Sequence, residues 1–390
     1  MRKGNRILSG LLALVMAAVM LLCPAEAITY EPDFTPTSKA VYLENLDTGL
    51  ILYEKNADEK MYPASLTKIM TAIVVLENVK DLDGETAEYP MWIQNMLYGT
   101  NASLGGLIVG EELTIRQLLT SALVQSGNES AMLLAGYVGS GGMADFMPRD
   151  ITTFVEMMND KAKALGCTGT HFTNPTGLHS DNTYTTARDM AIMAKYAMQK
   201  SAFSSIVKNY AVQLGQTNKH ADLWQYSTNK MLLTSSPYYY APVVGIKTGS
   251  TDEAGRCVIS QAEDSGYHYF CVVMGSPVTA AEPYQNFIET RQLYRWAFGN
   301  FSLRTLLEQG ELMAEVPVKY SGDGKVAKLA IKEDVVQLLR DDISLDSIIY
   351  KAELPEFVEA PIAAGDTVGK MHIMLMGEEI GTVELVATQD

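Results

Sequence analysis

Cysteine and histidine are scarce in this chain of 390 residues, which has four cysteines and five histidines. One cysteine lies in an N-terminal apolar segment, and the odd remainder, Cys167, Cys257 and Cys271, cannot form a complete disulfide framework. Cys257 and Cys271 lie on consecutive strand-like segments and could face each other, but we favour both as small buried apolar residues. Because the histidines show no metal-ligand spacing, we expect neither a metal nor another cofactor.

Positive charge is also in short supply. The chain has 30 lysines and arginines against 46 aspartates and glutamates, a formal net charge of −16. Nucleic acid is therefore not an expected partner, because its phosphates are bound through clustered basic residues. Lys247-Thr248 resembles the end of a phosphate-binding loop, but the earlier glycine of that motif is missing. An anionic substrate would have to be captured by local lysines in a cleft.

Long apolar runs are absent except for one at the N-terminus, from Ile7 to Cys23. It follows three basic residues and precedes the small-x-small pattern Ala25-Glu26-Ala27. This pattern predicts a signal peptide over residues 1–27, cleaved so that the mature protein begins at Ile28. No second segment is apolar enough to span a membrane, and no C-terminal amphipathic anchor is evident. We expect an exported protein at the cell wall or on the periplasmic face.

The rest of the chain has the patterns of two domains, over residues 28–301 and 302–390. The first domain begins with a hairpin (40–56), has a helical middle, and returns to strands before a closing helix (284–298). It predicts a mostly antiparallel sheet with helices around it. Further helices are predicted at 113–124, after Asn128, and at 151–166 and 186–200; strands are predicted near 206–214, 243–248, 256–262 and 267–275. Residues 78–110 are expected to be irregular, and 302–390 to form a small all-β domain.

Residues 62–72 read "YPASLTKIMTA" and place a lysine in an apolar helix. Lys68 comes three residues after Ser65, so the two side chains would share one helix face. A lysine among buried apolar neighbours is costly unless it is paired or has lost its charge. Two interpretations are open: Lys68 extends to water from a surface helix, or it is a desolvated base for Ser65.

Two other short motifs bear on that choice. Ser126-Gly127-Asn128 precedes a helix, and Lys247-Thr248-Gly249 ends an apolar strand. Each motif alone is common in turns, helix caps or strand ends. Ser-x-x-Lys, Ser-x-Asn and Lys-Thr-Gly in this order are typical of β-lactamases and penicillin-binding proteins. The combination favours Lys68 as a base.

The chain resembles the serine-type D-alanyl-D-alanine carboxypeptidases, which are low-molecular-mass penicillin-binding proteins. Beyond the three motifs, "GEELTIRQLL", "NPTGLH", "TARDMA" and "GIKTGSTDEAG" are similar to that family, and the likeness covers residues 38–388. It implies a β-lactamase/transpeptidase-like α/β (α+β) catalytic domain with a helical subdomain, followed by a C-terminal all-β domain. The implied substrates are peptidoglycan stem peptides ending in D-Ala-D-Ala, and β-lactam antibiotics would acylate the same serine.

The resemblance and the chemistry of acyl transfer suggest roles for the motif residues. Ser65 would be the nucleophile and Lys68 its base; Ser126 would relay a proton to the leaving amine, and Asn128 would hold Lys68 and a substrate amide. The substrate would lie along the strand that contains Lys247, Thr248, Gly249 and Ser250. Lys247 and Thr248 suit a C-terminal carboxylate, Gly249 would leave room for the peptide, and the N–H groups of Ser65 and Ser250 would form the oxyanion hole.

No second basic residue for the carboxylate is evident, and Arg188 and Arg256 are the candidates. Two other functions stay open. A β-lactamase of the same fold would usually contain a Glu-x-x-Leu-Asn loop, which is missing here, and it would lack a second domain. A non-catalytic penicillin- or wall-sensing protein would not need the complete set of motif residues.

Overall fold

The structure is a computed structural model that describes residues 30–321 and 325–389. The predicted signal peptide, residues 1–27, lies outside the described residues. The chain divides into two compact units, one from Glu31 to Gly299 and one from Asn300 onward that also includes Tyr30. None of the helices in the described ranges has the length and apolar character needed to cross a membrane.

The first half of the first unit holds one hairpin, two short strands and most of the helices. In chain order these are β1 (Ala40–Asn45), β2 (Ile51–Lys55), α1 (Lys68–Asn78), β3 (Thr86–Glu88), α2 (Met91–Leu97), β4 (Glu112–Thr114), α3 (Ile115–Thr120), α4 (Asn128–Gly139) and α5 (Pro148–Ala164). A 3₁₀ turn, Ala64–Thr67, leads into α1, and a π turn, Ser121–Gln125, separates α3 from α4. Thr114 and Gln117 form a capping box at the start of α3.

The second half returns to strands and ends in a long helix. Its elements are α6 (Ala187–Met198), α7 (Ser201–Val207), β5 (Ala211–Gln213), β6 (Trp224–Tyr226), β7 (Lys247–Thr251), β8 (Gly255–Asp264), β9 (Tyr267–Ser276) and α8 (Gln285–Asn300), with a 3₁₀ turn at Lys230–Leu232. The main sheet has five strands in the order β2-β1-β9-β8-β7, and every neighbouring pair is antiparallel. The predicted antiparallel sheet is thus confirmed, and β7 is one of its edges.

Helix α1 lies at the centre of this unit. All of its residues from Lys68 to Val75 are buried, which is typical of a helix surrounded by protein. It packs against helices α4, α5 and α6, and α6 in turn contacts strands β1 and β9. The residue at the start of such a helix is therefore far from bulk water unless a cleft leads to it.

Three of the predicted elements are wrong. The strand expected near 243–248 begins only at Lys247, so Lys247-Thr248-Gly249 starts β7 and does not end an apolar strand. Residues 206–214 do not form one strand, because Phe203, Ile206 and Val207 form the buried face of helix α7 and only Ala211–Gln213 is extended. The β-branched residues there are equally compatible with a strand when only the sequence is read. Residues 78–110, which were expected to be irregular, contain β3 and α2.

The three described cysteines are buried and unpaired. Although Cys257 and Cys271 lie on adjacent strands, the register of β8 and β9 places Cys271 opposite Ser260. Burial raises the pKa of the Cys257 thiol to about 11, so it stays protonated at neutral pH. The interpretation of both residues as small buried apolar side chains is confirmed.

The second unit is all β, as expected from the sequence. Its strands are β10 (Phe301–Leu307), β11 (Leu312–Lys319), β12 (Val326–Ile331), β13 (Val335–Arg340), β14 (Ile349–Glu353), β15 (Val358–Glu359), β16 (Thr367–Leu375) and β17 (Glu378–Ala387). Six of them form a sheet in the order β14-β16-β17-β12-β11-β15, and β10 pairs with β13. Alternate residues of β16 and β17, such as Ile373 and Leu385, are buried, which gives this unit a core of its own.

Candidate active site

Ser65 lies in the 3₁₀ turn that leads into α1, and a strained residue precedes it. Ala64 has a φ of +47°, in the left-handed region that alanine rarely adopts. The backbone at Gly177 supports this turn, because a Cβ at Gly177 would lie 1.8 Å from the Ala64 carbonyl oxygen. Strain of this kind persists only where the surroundings fix the backbone, and it is frequent at functional sites.

Lys68 is completely buried one turn after Ser65. Its Nζ donates to Ser65 Oγ at 3.1 Å, to Asn128 Oδ1 at 2.9 Å and to the Thr176 carbonyl oxygen at 2.7 Å. These three contacts use all the donors of an ammonium group. The interpretation of Lys68 as a surface lysine that extends to water is therefore wrong.

The environment of Lys68 disfavours its charge. Burial, and to a lesser degree the nearby Lys247 ammonium, hold the pKa of Lys68 well below the usual 10.5, while the Glu129 carboxylate opposes this shift. A neutral lysine has a lone pair on Nζ. At 3.1 Å that lone pair can accept the proton of the Ser65 hydroxyl.

Ser126 and Lys247 form a second hydroxyl–lysine pair. Ser126 has a left-handed conformation, with φ of +65°, between the π turn and α4. Lys247 is 1% exposed, and its Nζ donates to Ser126 Oγ and to the Thr248 carbonyl oxygen, both at 2.9 Å. Burial lowers the pKa of Lys247 to about 7. A lysine with a pKa lowered to this extent does not keep its full charge at neutral pH.

Asn128 connects Lys68 to a loop that the sequence did not assign to the site. Its Oδ1 accepts from Lys68, while its Nδ2 and its backbone N–H both donate to the Ser103 carbonyl oxygen, at 2.8 and 2.9 Å. Glu129, 1% exposed, binds the same loop through the N–H groups of Gly105 and Gly106 at 2.5 and 3.1 Å. The amide nitrogen expected to hold a substrate amide is thus already engaged with Ser103.

Strand β7 runs beside the Ser65 turn because position 249 is glycine. A Cβ on Gly249 would lie 2.9 Å from the Pro63 carbonyl oxygen and 3.1 Å from the Ser65 nitrogen. The sequence suggested that this glycine makes room for a peptide, but the Ser65 turn occupies that room. Thr248 Oγ1 lies 2.5 Å from Thr228 Oγ1, and among the described strands none pairs with the outer edge of β7.

A cleft of about 370 Å³ connects these parts. Ser65, Ser126 and three consecutive residues of β7, Thr248, Gly249 and Ser250, line it. Three residues lie behind this wall. Lys68 donates to Ser65 Oγ and to Asn128 Oδ1, and Lys247 donates to Ser126 Oγ. The structure thus brings all the predicted site residues together.

The two arginine candidates for a carboxylate differ sharply. Arg188 binds Glu54 Oε2 at 2.6 Å and Asp58 Oδ1 at 2.8 Å, and it does not line the cleft. Arg256 does line the cleft. Three consecutive tyrosines, Tyr238, Tyr239 and Tyr240, do not line the cleft, but Tyr238 packs against a lining residue, Tyr284, at 5.3 Å between ring centroids.

The loop 174–177 belongs to the site through its backbone, and the side-chain motifs did not predict this contribution. Asn174 Oδ1 accepts from the backbone N–H groups of Thr176 and Gly177, at 3.1 and 2.8 Å. This turn presents two carbonyl oxygens to α1, that of Thr176 to Lys68 and that of Pro175 to Thr71 Oγ1 at 2.7 Å. The Asn-Pro-Thr-Gly pattern signals a turn, but not which side chains its carbonyls bind.

In the described part of the chain, no histidine, cysteine, aspartate or glutamate side chains converge in a way that could hold a metal ion. A serine that accepts a hydrogen bond from a buried lysine, beside the edge strand of an antiparallel sheet, is typical of a serine hydrolase. The family model for D-alanyl-D-alanine carboxypeptidases matches residues 26–278, and the model for the C-terminal domain of penicillin-binding protein 5 matches residues 301–390. The chain therefore belongs to this family of serine-type carboxypeptidases.

Individual proteins show the same relationship. The chain is 29% identical over 390 residues to the D-alanyl-D-alanine carboxypeptidase DacF of Bacillus subtilis, covering 97% of this chain and 94% of that protein. It is 34% identical over 272 residues to a D-alanyl-D-alanine carboxypeptidase of Streptomyces sp. strain K15, covering 68% and 88%. Penicillin-binding protein 5 from Haemophilus influenzae has a similar structure, with a TM-score of 0.68 and 27% identity over 93% of this chain and 99% of that one.

The close approach at Gly249 leads to a testable prediction. Gly249→Ala should reduce D-alanine release from a D-Ala-D-Ala peptide by about 100-fold, because displacing a reacting group by about 1 Å can cost that much. Gly299→Ala is the matched control, since a Cβ there meets nothing within 4 Å. Steady-state kinetics with both variants would check this, and an active Gly249→Ala enzyme would contradict the packing described here.

Proposed function

We propose that this chain is an exported serine carboxypeptidase that removes the terminal D-alanine from peptidoglycan pentapeptides through an acyl-Ser65 intermediate. The observation that carries the proposal is the buried Lys68, whose Nζ lies 3.1 Å from Ser65 Oγ and whose charge is disfavoured. We also propose that β-lactam antibiotics acylate the same serine.

In the acylation step, neutral Lys68 takes the proton of Ser65 while Ser65 Oγ attacks the carbonyl carbon between the two D-alanines. The negative charge on the carbonyl oxygen is stabilised by the backbone N–H groups of Ser65 and Ser250. Support for this pairing comes from Gly249, which lets β7 lie against the Ser65 turn. The Thr176 carbonyl and Asn128 Oδ1 stabilise the Lys68 ammonium that forms.

The leaving amine requires a proton before the peptide bond breaks. Ser126 is suited to donate it, because its Oγ accepts a hydrogen bond from Lys247 at 2.9 Å, which can replace the proton that Ser126 gives up. D-alanine then leaves, and a water molecule attacks the acyl-Ser65 ester. Before this attack, Lys68 releases to solvent the proton that it took from Ser65, and Lys247 takes one up from solvent. Neutral Lys68 then removes a proton from the attacking water and passes it to Ser65 Oγ as the ester breaks, so every residue ends in the protonation state in which it began.

The peptide would bind as an added strand on the free edge of β7, where main-chain hydrogen bonds fix its register. Thr248 offers a hydroxyl, and Lys247 contributes positive potential when it is charged. Peptidoglycan stem peptides ending in D-Ala-D-Ala are the substrates that this arrangement and the family favour.

The other two hypotheses have less support. A non-catalytic penicillin- or wall-sensing protein would gain nothing from Lys68, whose burial destabilises the fold. A β-lactamase-like hydrolase does not account for residues 301–390, which match the C-terminal domain of penicillin-binding protein 5.

The domain limits belong to the proposal as well: residues 1–27 as a signal peptide, 28–301 as the catalytic domain and 302–390 as the C-terminal β domain.

Removal of the nucleophile or its base should abolish acylation. Ser65→Ala should not be labelled by fluorescent penicillin, and Lys68→Ala should lose roughly 10⁴-fold in acylation rate, because residues of one catalytic unit fail together. Ser205→Ala, an exposed serine outside the cleft, is the control. Near-normal labelling of either active-site variant would overturn the assignment.

The lowered pKa of Lys68 predicts the pH dependence of acylation. Only the neutral amine accepts a proton, so the rate should rise with pH up to the lowered pKa and then level off, well below pH 10. Because the Lys247 ammonium contributes to the shift, Lys247→Ala should move the plateau to higher pH. Penicillin acylation rates measured between about pH 5 and 10 would test this. A wild-type rate that increases tenfold per pH unit throughout would contradict it.

Export leads to a prediction about the N-terminus. If residues 1–27 are a signal peptide, the protein secreted by an expressing bacterium should begin at Ile28. N-terminal sequencing of the exported protein would show this. A chain that keeps Met1 or Arg2, in a membrane fraction released only by detergent, would show that the segment is an uncleaved tether instead.

A further inference from the structure

Glu129 is a buried carboxylate that the acyl-transfer steps do not use. It lies in the first turn of α4, directly after Asn128, and is 1% exposed. Unlike Glu44, which binds Lys195, it has no lysine or arginine within ion-pair distance among the described residues. Burying a carboxylate without a cation is costly unless hydrogen bonds compensate for the loss of water.

The compensating hydrogen bonds come from the backbone of a loop. Glu129 Oε1 accepts from the N–H groups of three consecutive residues, Gly105, Gly106 and Leu107, at 2.5, 3.1 and 3.5 Å. Residues 103–107 belong to no helix or strand, so no regular pattern of backbone hydrogen bonds holds them. Several N–H groups that converge on one anionic oxygen bind it strongly. Glu129 therefore anchors this loop to α4.

The anchored loop in turn fixes the Asn128 amide. Ser103 lines the cleft, and its carbonyl oxygen accepts from Asn128 Nδ2 at 2.8 Å and from the Asn128 backbone N–H at 2.9 Å. A side-chain amide has an acceptor at one end and donors at the other. Because Nδ2 binds Ser103, Oδ1 is the end that reaches Lys68 Nζ, at 2.9 Å. Without Ser103 either end could face Lys68, and the donor end would offer it no acceptor.

A second anchor holds the same loop from the hairpin of β5 and β6. Gln225, also 1% exposed, donates through Nε2 to the Gly105 carbonyl oxygen at 2.9 Å. Gly105 is thus held on both sides of its backbone, by Glu129 and by Gln225. A Cβ at Gly105 would lie 2.0 Å from Ser121 Oγ, so the loop lies tightly against the segment that leads to α4. Its position is therefore closely determined.

Helix stability alone does not explain this arrangement. An acidic residue in the first turn of a helix interacts favourably with the helix dipole. That interaction needs no contact with another segment, and an exposed carboxylate provides it without the cost of burial. The contacts of Glu129 with residues 105–107, and those of Ser103 with Asn128, point instead to the geometry of the cleft.

We propose that Glu129 is a positioning residue for acylation: it holds the loop 103–107, the loop holds the Asn128 amide, and the amide presents Oδ1 to Lys68. This inference rests on the proposed function and deepens it, because Glu129 touches neither the substrate nor the reacting atoms. When the amide turns over, Lys68 loses one of its three acceptors and is no longer held beside Ser65.

Two substitutions separate the anchor from the charge. Glu129→Gln keeps a side-chain oxygen that can accept from residues 105–107, whereas Glu129→Ala removes it. We expect Glu129→Ala to lower the rate constant of penicillin acylation by about 10- to 100-fold, the effect of losing one hydrogen bond to a charged group. Glu129→Gln should stay within about threefold of the wild type. Each rate is taken on the plateau of that variant's own pH profile, because the Glu129 carboxylate also opposes the lowered pKa of Lys68.

Glu289→Ala is the matched control for the loss of a buried carboxylate. Glu289 is also 1% exposed and accepts hydrogen bonds from the N–H groups of Thr37 and Ser38, but it does not line the cleft. This variant should have a lowered melting temperature and an unchanged acylation rate. Equal losses of acylation in Glu129→Ala and Glu289→Ala, or a Glu129→Gln enzyme as slow as Glu129→Ala, would overturn the proposal.

A double-mutant cycle tests the route through Asn128. In an Asn128→Ala background, Glu129→Ala should cost less than about threefold, because the amide that it positions is no longer there. Losses that simply multiply would show that Glu129 acts elsewhere. If Glu129→Ala does not fold, Gln225→Met removes the other anchor of Gly105 and takes its place in the cycle, with the same expectation.

Hydrogen exchange gives a measurement that needs no turnover. In Glu129→Ala the backbone N–H groups of Gly105 and Asn128 should lose protection, while that of Ile73 in α1 keeps it. Unchanged protection at Asn128 would contradict this inference alone. A wild-type enzyme that penicillin does not acylate and that releases no D-alanine would instead count against the proposed function.

Discussion

The desolvation of Lys68 is the constraint on which the rest of the site depends. A buried lysine is tolerated only when its donors are satisfied and its charge can be lost. Here one donor goes to Ser65, one to Asn128 and one to a backbone carbonyl, that of Thr176. The three partners come from different segments of the chain. The packing of these segments around α1 therefore places Lys68 where it can accept a proton.

The loops around the cleft can be understood from that constraint. Hydrogen bonds to Asn174 Oδ1 fix the turn that follows it. In this turn two backbone carbonyl oxygens accept hydrogen bonds from side chains of α1. The loop at Ser103 is held from the other side by Glu129 and supplies the oxygen that fixes the Asn128 amide. With its Nδ2 bound to Ser103, Asn128 can only present Oδ1 to Lys68. These loops act on the chemistry although they contribute no reactive side chain.

This explains what the sequence could and could not predict. Ser65, Lys68, Ser126 and Lys247 lie in short motifs, so the amino-acid sequence is sufficient to assign their side chains to the site. The Ser103 and Thr176 carbonyls are backbone groups, which every residue has, and nothing in the sequence distinguishes them. The antiparallel sheet follows from alternating strands and short turns, but α7 has the pattern of a strand because Ile206 and Val207 suit either element. The sequence also could not tell which of Arg188 and Arg256 is a candidate for the site. Only the structure shows that Glu54 and Asp58 form ion pairs with Arg188.

The cleft divides its cations into two kinds by burial. Lys68 and Lys247 are enclosed, and burial lowers the pKa of both, so each loses its proton more readily than an exposed lysine does. Lys230 and Arg256 lie against Tyr284, where an aromatic face replaces the carboxylates that other surface cations contact. The proton transfers therefore depend on the enclosed pair, whose charge burial disfavours, and not on the two cations that line the cleft.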